Sequence, residues 1–99
     1  MSENKPVINV DDEDFGLMLI SAIRYSLGRM TYIVMSTVNY TIPLVPYLSF
    51  NTLRVIENDI QQHADFYDLG MECDRHDWFR LLEAVRKEML ERMVENAGN

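Results

Sequence analysis

Apolar side chains recur every three or four residues in two segments, the spacing that places them on one face of an α-helix. The first segment runs from about Asp12 to about Gly28, and the last begins at Asp74 or Asp77. Aspartates at these starts are suited to cap helix N-termini. The two predicted stripes consist of Phe15, Leu19, Ile20, Ala22, Ile23, Leu27 and Met30, and of Trp78, Leu81, Leu82, Val85, Met89 and Met93.

Residues 31–42 are harder to assign, because the β-branched and aromatic residues that favour strands dominate them. The apolar positions fit a helical face counted from Val34 better than a strict alternation, so we predict a helix. Pro43 and Pro46 should end it, because proline lacks an amide hydrogen and restricts the residue before it.

Ser49 offers a cap for a third helix, with Leu53, Ile56 and Ile60 on its apolar face and an end near His63. Residues 64–77, with the sequence ADFYDLGMECDRHD, are typical of an exposed acidic loop. We therefore expect an all-α fold, a compact bundle of about four helices. The predicted organisation is a flexible acidic N-terminal arm, 1–11, one helical domain, 12–95, and a frayed C-terminus, 96–99.

The 99 residues suffice for one hydrophobic core, since 47% of them are hydrophobic. A net charge of −7 disfavours direct binding to nucleic acid or to an anionic membrane surface. Cys73 is the single cysteine and cannot form an internal disulfide. Because no signal peptide or membrane-spanning apolar run is evident either, we expect a cytoplasmic protein.

Reactive side chains are densest between residues 63 and 77. The pair Cys73 and His76 has zinc-like spacing but lacks a second matching pair, and His63 would have to add a ligand across the loop. Glu72 and Asp74 flank Cys73 and oppose the thiolate that a nucleophile needs. We expect no catalytic residue, no cofactor and no metal ligand, and keep a metal-dependent enzyme centred on residues 63–77 as one alternative.

Arg24, Tyr25, Arg29 and Tyr32 lie close together and could hold a carboxylate, a phosphate or a protein partner through bidentate and stacking contacts. The alternative is that both arginines cover apolar surface or pair with the acidic loop. A DNA-reading helix over 50–62 is disfavoured, because Arg54 is the one basic residue there.

Three stretches, ISAIRYSLGRMTYIV (20–34), PYLSFNTLRVIENDI (46–60) and DRHDWFRLLEAVRKEM (74–89), resemble small uncharacterised proteins of bacteriophages and prophages of Gram-positive bacteria. The likeness covers most of residues 15–89. Its motif comprises apolar positions together with Arg24, Tyr25, Gly28, Arg29 and Tyr32. The resemblance implies no particular activity. The resemblance implies a small accessory protein of a mobile element, and such proteins commonly inhibit or redirect a host protein.

The acidic charge together with the resemblance predicts an accessory protein that acts by binding a host or phage protein, such as a basic nucleic-acid-handling or defence enzyme, with inhibition of that protein as one way of acting. Five acids are the candidates to act as phosphate-like charges: Asp59, Asp65, Asp68, Glu72 and Asp74. The alternative is a homodimer that associates through the Tyr- and Met-rich segment 30–47.

Overall fold

The computed structural model of the chain describes residues 9–10 and 12–97. They form four α-helices, α1 (Glu13–Ser26), α2 (Thr31–Thr41), α3 (Phe50–Phe66) and α4 (Glu72–Ala97), with a 3-10 helix, Ile42–Tyr47, after α2. The described ranges contain no strand. The predicted all-α bundle is confirmed, including the helix over 31–42. The flexible arm predicted for 1–11 falls almost entirely outside the described residues.

Two contacts show that α1 and α3 run in the same direction. Arg24 of α1 contacts Asp59 of α3, and about two turns earlier Gly16 of α1 closely approaches Thr52 of α3. A Cβ atom at Gly16 would overlap the Thr52 hydroxyl. Glycine therefore allows the two helix backbones to come together at this point.

Helices α2 and α4 also run in the same direction. Thr31, at the start of α2, donates its hydroxyl to Asp74 near the start of α4, and further along Arg80 Nη2 donates to Asn39 Oδ1 at 2.6 Å. Because short turns join α1 to α2 and α3 to α4, successive helices alternate in direction. The chain is thus an up-down-up-down bundle.

The core lies between the four helices, with the Trp78 side chain of α4 fully buried. Its indole Nε1 has no hydrogen-bond partner among the described residues. The predicted stripes supply most of the core, although Ala22, Met30 and Met93 are exposed rather than packed. The buried apolar side chains are Ile20, Ile23, Val34, Val38, Val45, Leu48, Leu53, Ile56, Ile60, Leu69, Trp78, Leu81, Leu82 and Val85.

The prolines end α2 as an α-helix but do not end the helical path. Pro43 and Pro46 lie within the 3-10 helix, and Pro43 is at its second position, where a missing amide hydrogen leaves no bond unmade. The 3-10 helix packs against α4, and Arg92 Nη2 donates to the carbonyl of Pro46 at 3.1 Å.

The prediction of a long acidic loop over 64–77 is wrong. Helix α3 continues to Phe66, three residues past its predicted end, and α4 begins at Glu72, so the turn between them spans only 67–71. Helix α4 also includes Asn96 and Ala97 of the segment expected to fray, and 98–99 lie outside the described residues. No helix in the described part of the chain is long and apolar enough to cross a bilayer.

Candidate functional site

The two turns that join α1 to α2 and α3 to α4 lie side by side at one end of the bundle. The Thr31 hydroxyl lies 4.0 Å from the Met71 sulfur, and a Cβ atom placed on Gly28 would lie 3.6 Å from His63 Nε2. We call this surface the turn end and define it as residues 24–32 and 59–74. All nine candidate residues from the sequence fall within it.

Arg24 and Asp59 form an ion pair. Arg24 Nε donates to Asp59 Oδ2 at 2.7 Å and Nη2 donates to Oδ1 at 3.2 Å. The hydrogen bond and the negative charge of Asp59 raise the pKa of Arg24, so the guanidinium stays protonated at any pH of interest. The alternative role considered for Arg24, pairing with an acid, is the one found. Its partner belongs to α3 rather than to a loop.

Asp74 is not available to a partner, because its side chain is only 3% exposed. Its Oδ2 accepts the backbone N–H of Met71 at 3.2 Å and the hydroxyl of Thr31 at 3.4 Å. Met71 precedes α4 and Asp74 is its third residue, so the carboxylate reaches back as in a capping box. Asp74 is therefore a structural residue, which corrects its assignment as an exposed phosphate-like charge.

The other three acids of the predicted set, Asp65, Asp68 and Glu72, are exposed. Asp65 accepts from the Gln61 amide at 2.8 Å, and Asp68 accepts the backbone N–H of Gly70 at 3.0 Å. Both donors are neutral, so these hydrogen bonds leave the negative charges uncompensated. These three residues form an acidic rim on the α3–α4 side of the turn end.

Arg29 is held in place on the α1–α2 side. Its Nε donates to the carbonyl of Tyr25 at 3.0 Å, and its guanidinium carbon lies 4.7 Å from the centroid of the Tyr25 ring. These two contacts orient the side chain while the residue remains exposed. Arg29 is thus presented as a fixed cation, and Tyr32 is exposed nearby on α2.

The turn end exposes three large apolar side chains that the sequence pattern did not identify as candidates. Phe66, Tyr67 and Met71 are 76%, 71% and 67% exposed, and Tyr67 stacks on His63 with ring centroids 5.1 Å apart. A sequence feature that could have identified them is the presence of aromatic and sulfur-containing side chains, without helical spacing, in an acidic stretch. Tyr25, Met30 and Tyr32, on the α1–α2 side of the turn end, are also more than half exposed.

The histidines and Cys73 do not assemble into a reactive centre. His63 lines a cleft of about 210 Å³ with Arg24, Asp59 and Tyr67. Cys73 and His76 line a separate open groove of about 610 Å³ along the first turns of α4. Across residues 9–10 and 12–97, no three His, Cys, Asp or Glu side chains come together so as to hold a metal ion. The metal-dependent alternative receives no support from this geometry.

No protein-family model matches the chain, and no significant match occurs among curated proteins or solved structures.

Proposed function

We propose that this protein binds a basic segment of another protein through the turn end. The occupant that suits the surface is an amphipathic stretch with Lys or Arg on one side and apolar residues on the other. Its cations would meet the acidic rim, Asp65, Asp68 and Glu72, while its apolar residues would cover Tyr67 and Met71. Helix-in-groove and helix-on-face recognition of this kind relies on a few apolar anchors bordered by charge.

The observation that carries this proposal is the coincidence of exposed aromatic side chains and uncompensated charge on one surface. Tyrosine and arginine are enriched among the residues that dominate binding energy at protein interfaces. A large exposed apolar patch with a polar border commonly marks an interaction site on a small protein. Phe66, Tyr67 and Met71 supply the apolar part, and Glu72 and Arg29 supply charges at its border.

We propose that three of the five acids, Asp65, Asp68 and Glu72, act as the phosphate-like charges. Asp59 is neutralised by Arg24, and Asp74 is buried in its capping role. A nucleic-acid-handling or defence enzyme of a host cell or phage, with a basic groove, remains the class of partner that we propose on the strength of the resemblance. Occupation of such a groove by the acidic rim would inhibit the enzyme by excluding its nucleic acid.

The experiment uses a synthetic helical peptide with lysines on one face and leucines on the other, titrated by calorimetry at low salt. The variant Asp65→Asn/Glu72→Gln removes two rim charges, and Glu83→Gln/Glu91→Gln removes two exposed charges of α4 outside the turn end. We expect the rim variant to raise Kd about 10-fold, which corresponds to about 1.4 kcal/mol, and the control to change it less than about 2-fold.

A second variant, Tyr67→Ala, separates anchoring from simple attraction between opposite charges. Loss of an exposed aromatic anchor should raise the peptide Kd about 10-fold without changing the net charge. Equal weakening by the rim variant and its control, or unchanged affinity in Tyr67→Ala, would show that the peptide senses only the overall charge. Either result rejects the turn end as a specific surface. The same variants then sort specific from nonspecific proteins captured from host lysate.

A further inference from the structure

We infer that the turn end also binds a second copy of this chain, so that the protein forms a two-fold symmetric dimer when no partner occupies the surface. This inference rests on the proposed function because it uses the same residues. It identifies a regulation of that surface, since the dimer and the partner complex exclude each other.

The two sides of the turn end carry opposite charges. Arg29 lies on the α1–α2 side, fixed by its contacts with Tyr25, and it is exposed. Glu72 lies on the α3–α4 side, exposed in the first turn of α4. The Thr31 hydroxyl lies 4.0 Å from the Met71 sulfur, so the two sides meet there, with the cation on one side of this contact and the anion on the other.

Such an arrangement is complementary to itself. A two-fold axis brings the same patch of both copies together, and an axis that runs between the two sides places each side of one copy against the opposite side of the other. Arg29 of each copy would then face Glu72 of the other, and both charge pairs would form at once. A fixed guanidinium favours this pairing because little side-chain freedom is lost when it binds a carboxylate.

Both sides of the turn end also carry exposed apolar side chains. Met30 and Tyr32 on one side, and Tyr67 and Met71 on the other, are each more than half exposed in the single chain. A two-fold contact would remove all of them from water in both copies, which supplies a hydrophobic driving force. This contact uses the first residues of the Tyr- and Met-rich segment 30–47. It places the dimer surface at the bundle end rather than along the whole segment.

Charge exchange tests the inference in the intact chain by sedimentation equilibrium. We expect the wild-type protein to dimerise with a Kd below about 1 mM. The single variants Arg29→Glu and Glu72→Arg should each weaken dimerisation about 10-fold or more, because like charges then face each other. An equimolar mixture of the two variants should form a heterodimer with a Kd within about 3-fold of wild type, because both pairs are restored with exchanged signs.

A wild-type protein that stays monomeric near 1 mM overturns the inference, as do single variants that dimerise normally. A mixture no tighter than the single variants overturns it too, because Arg29 and Glu72 then do not face each other. The mixture guards against misfolding, since misfolded chains would not regain dimerisation on mixing. The lysine and leucine peptide distinguishes the two proposals. If the free protein stays monomeric near 1 mM but binds the peptide, only the dimer fails. If the free protein dimerises but does not bind the peptide at concentrations well below the dimer Kd, only the proposed function fails.

Discussion

Arg24 and Asp59 join α1 to α3 through two hydrogen bonds, of 2.7 and 3.2 Å, with the arginine side chain 59% exposed and the aspartate 12% exposed. The arginine of the pair therefore lies at the surface, whereas the aspartate is mostly covered. It also fixes the register at which these two parallel helices meet. Two residues that the sequence presented as candidates for binding are thereby occupied with each other.

Arg24→Ala should lower the free energy of unfolding by about 0.5–1 kcal/mol, because an exposed ion pair is screened by solvent even when its geometry is good. Arg54→Ala is the matched control, since Arg54 is also an exposed arginine and its side chain forms no hydrogen bond or ion pair with the described residues. It should change stability by less than about 0.5 kcal/mol. Urea unfolding followed by the fluorescence of Trp78, the single tryptophan, measures both. A loss above about 2 kcal/mol for Arg24→Ala would mean that the pair is more than a surface contact.

Asp74→Ala should lower the free energy of unfolding by about 2 kcal/mol, because it leaves the part-buried Met71 N–H and Thr31 hydroxyl without their acceptor. Glu72→Ala, two residues earlier and exposed, is the control and should cost less than about 0.5 kcal/mol. The same urea titration distinguishes them. Equal effects of the two substitutions would contradict a special role for the buried carboxylate.

Gly16→Ala should destabilise the protein, although replacing a helical glycine by alanine usually has the opposite effect. Alanine usually stabilises a helix relative to glycine by about 0.5–1 kcal/mol. Here the added methyl group would overlap the Thr52 hydroxyl, so we expect a loss of about 1–3 kcal/mol instead. A double-mutant cycle with Thr52→Ala should show the two sites coupled by more than about 0.5 kcal/mol. Stabilisation by Gly16→Ala would show that α1 and α3 do not approach as closely as described.

Gly70→Ala should destabilise the protein more than Gly28→Ala. Both glycines have positive φ, +104° and +77°, where an L side chain is strained by roughly 1–2 kcal/mol. At Gly70 the new Cβ would also lie 2.9 Å from Asp74 Oδ2, whereas at Gly28 the nearest neighbour, His63, is at an ordinary 3.6 Å. Thermal unfolding by circular dichroism ranks the two variants. The opposite order would argue against the close approach of Gly70 to the buried carboxylate.

The sequence predicted the helices wherever apolar residues recur with helical spacing. Ile23, Leu53, Ile56 and Val85 were all placed correctly on buried faces. Spacing also identified α2 despite its β-branched residues, because burial of Val34 and Val38 on one face outweighs their strand propensity. Periodicity across Pro43 could not predict a 3-10 helix, since such short tight turns leave no repeating apolar pattern.

The secondary structure of the acidic stretch 64–77 was predicted wrongly for a physical reason. Its aromatic and charged residues show no apolar stripe, yet capping and contacts from neighbouring helices make most of it helical. From the sequence, Asp74 is expected to be a solvated acid. Its burial becomes evident only in the fold, where Thr31 of α2 contacts it. That Arg29 and Glu72 come to the same end of the bundle likewise depends on how two turns distant in sequence meet, which local sequence patterns cannot show.

The central claim is that the turn end is where a protein partner binds, and residue-resolved NMR tests it most directly. Titration of the isotopically labelled protein with the lysine and leucine peptide should shift backbone amides at residues 28–32 and 65–72, at protein concentrations low enough to exclude the dimer. Amides in the last three turns of α4 should remain unmoved. Shifts centred on the C-terminal part of α4, or spread evenly over the acidic residues of the whole chain, would contradict the claim.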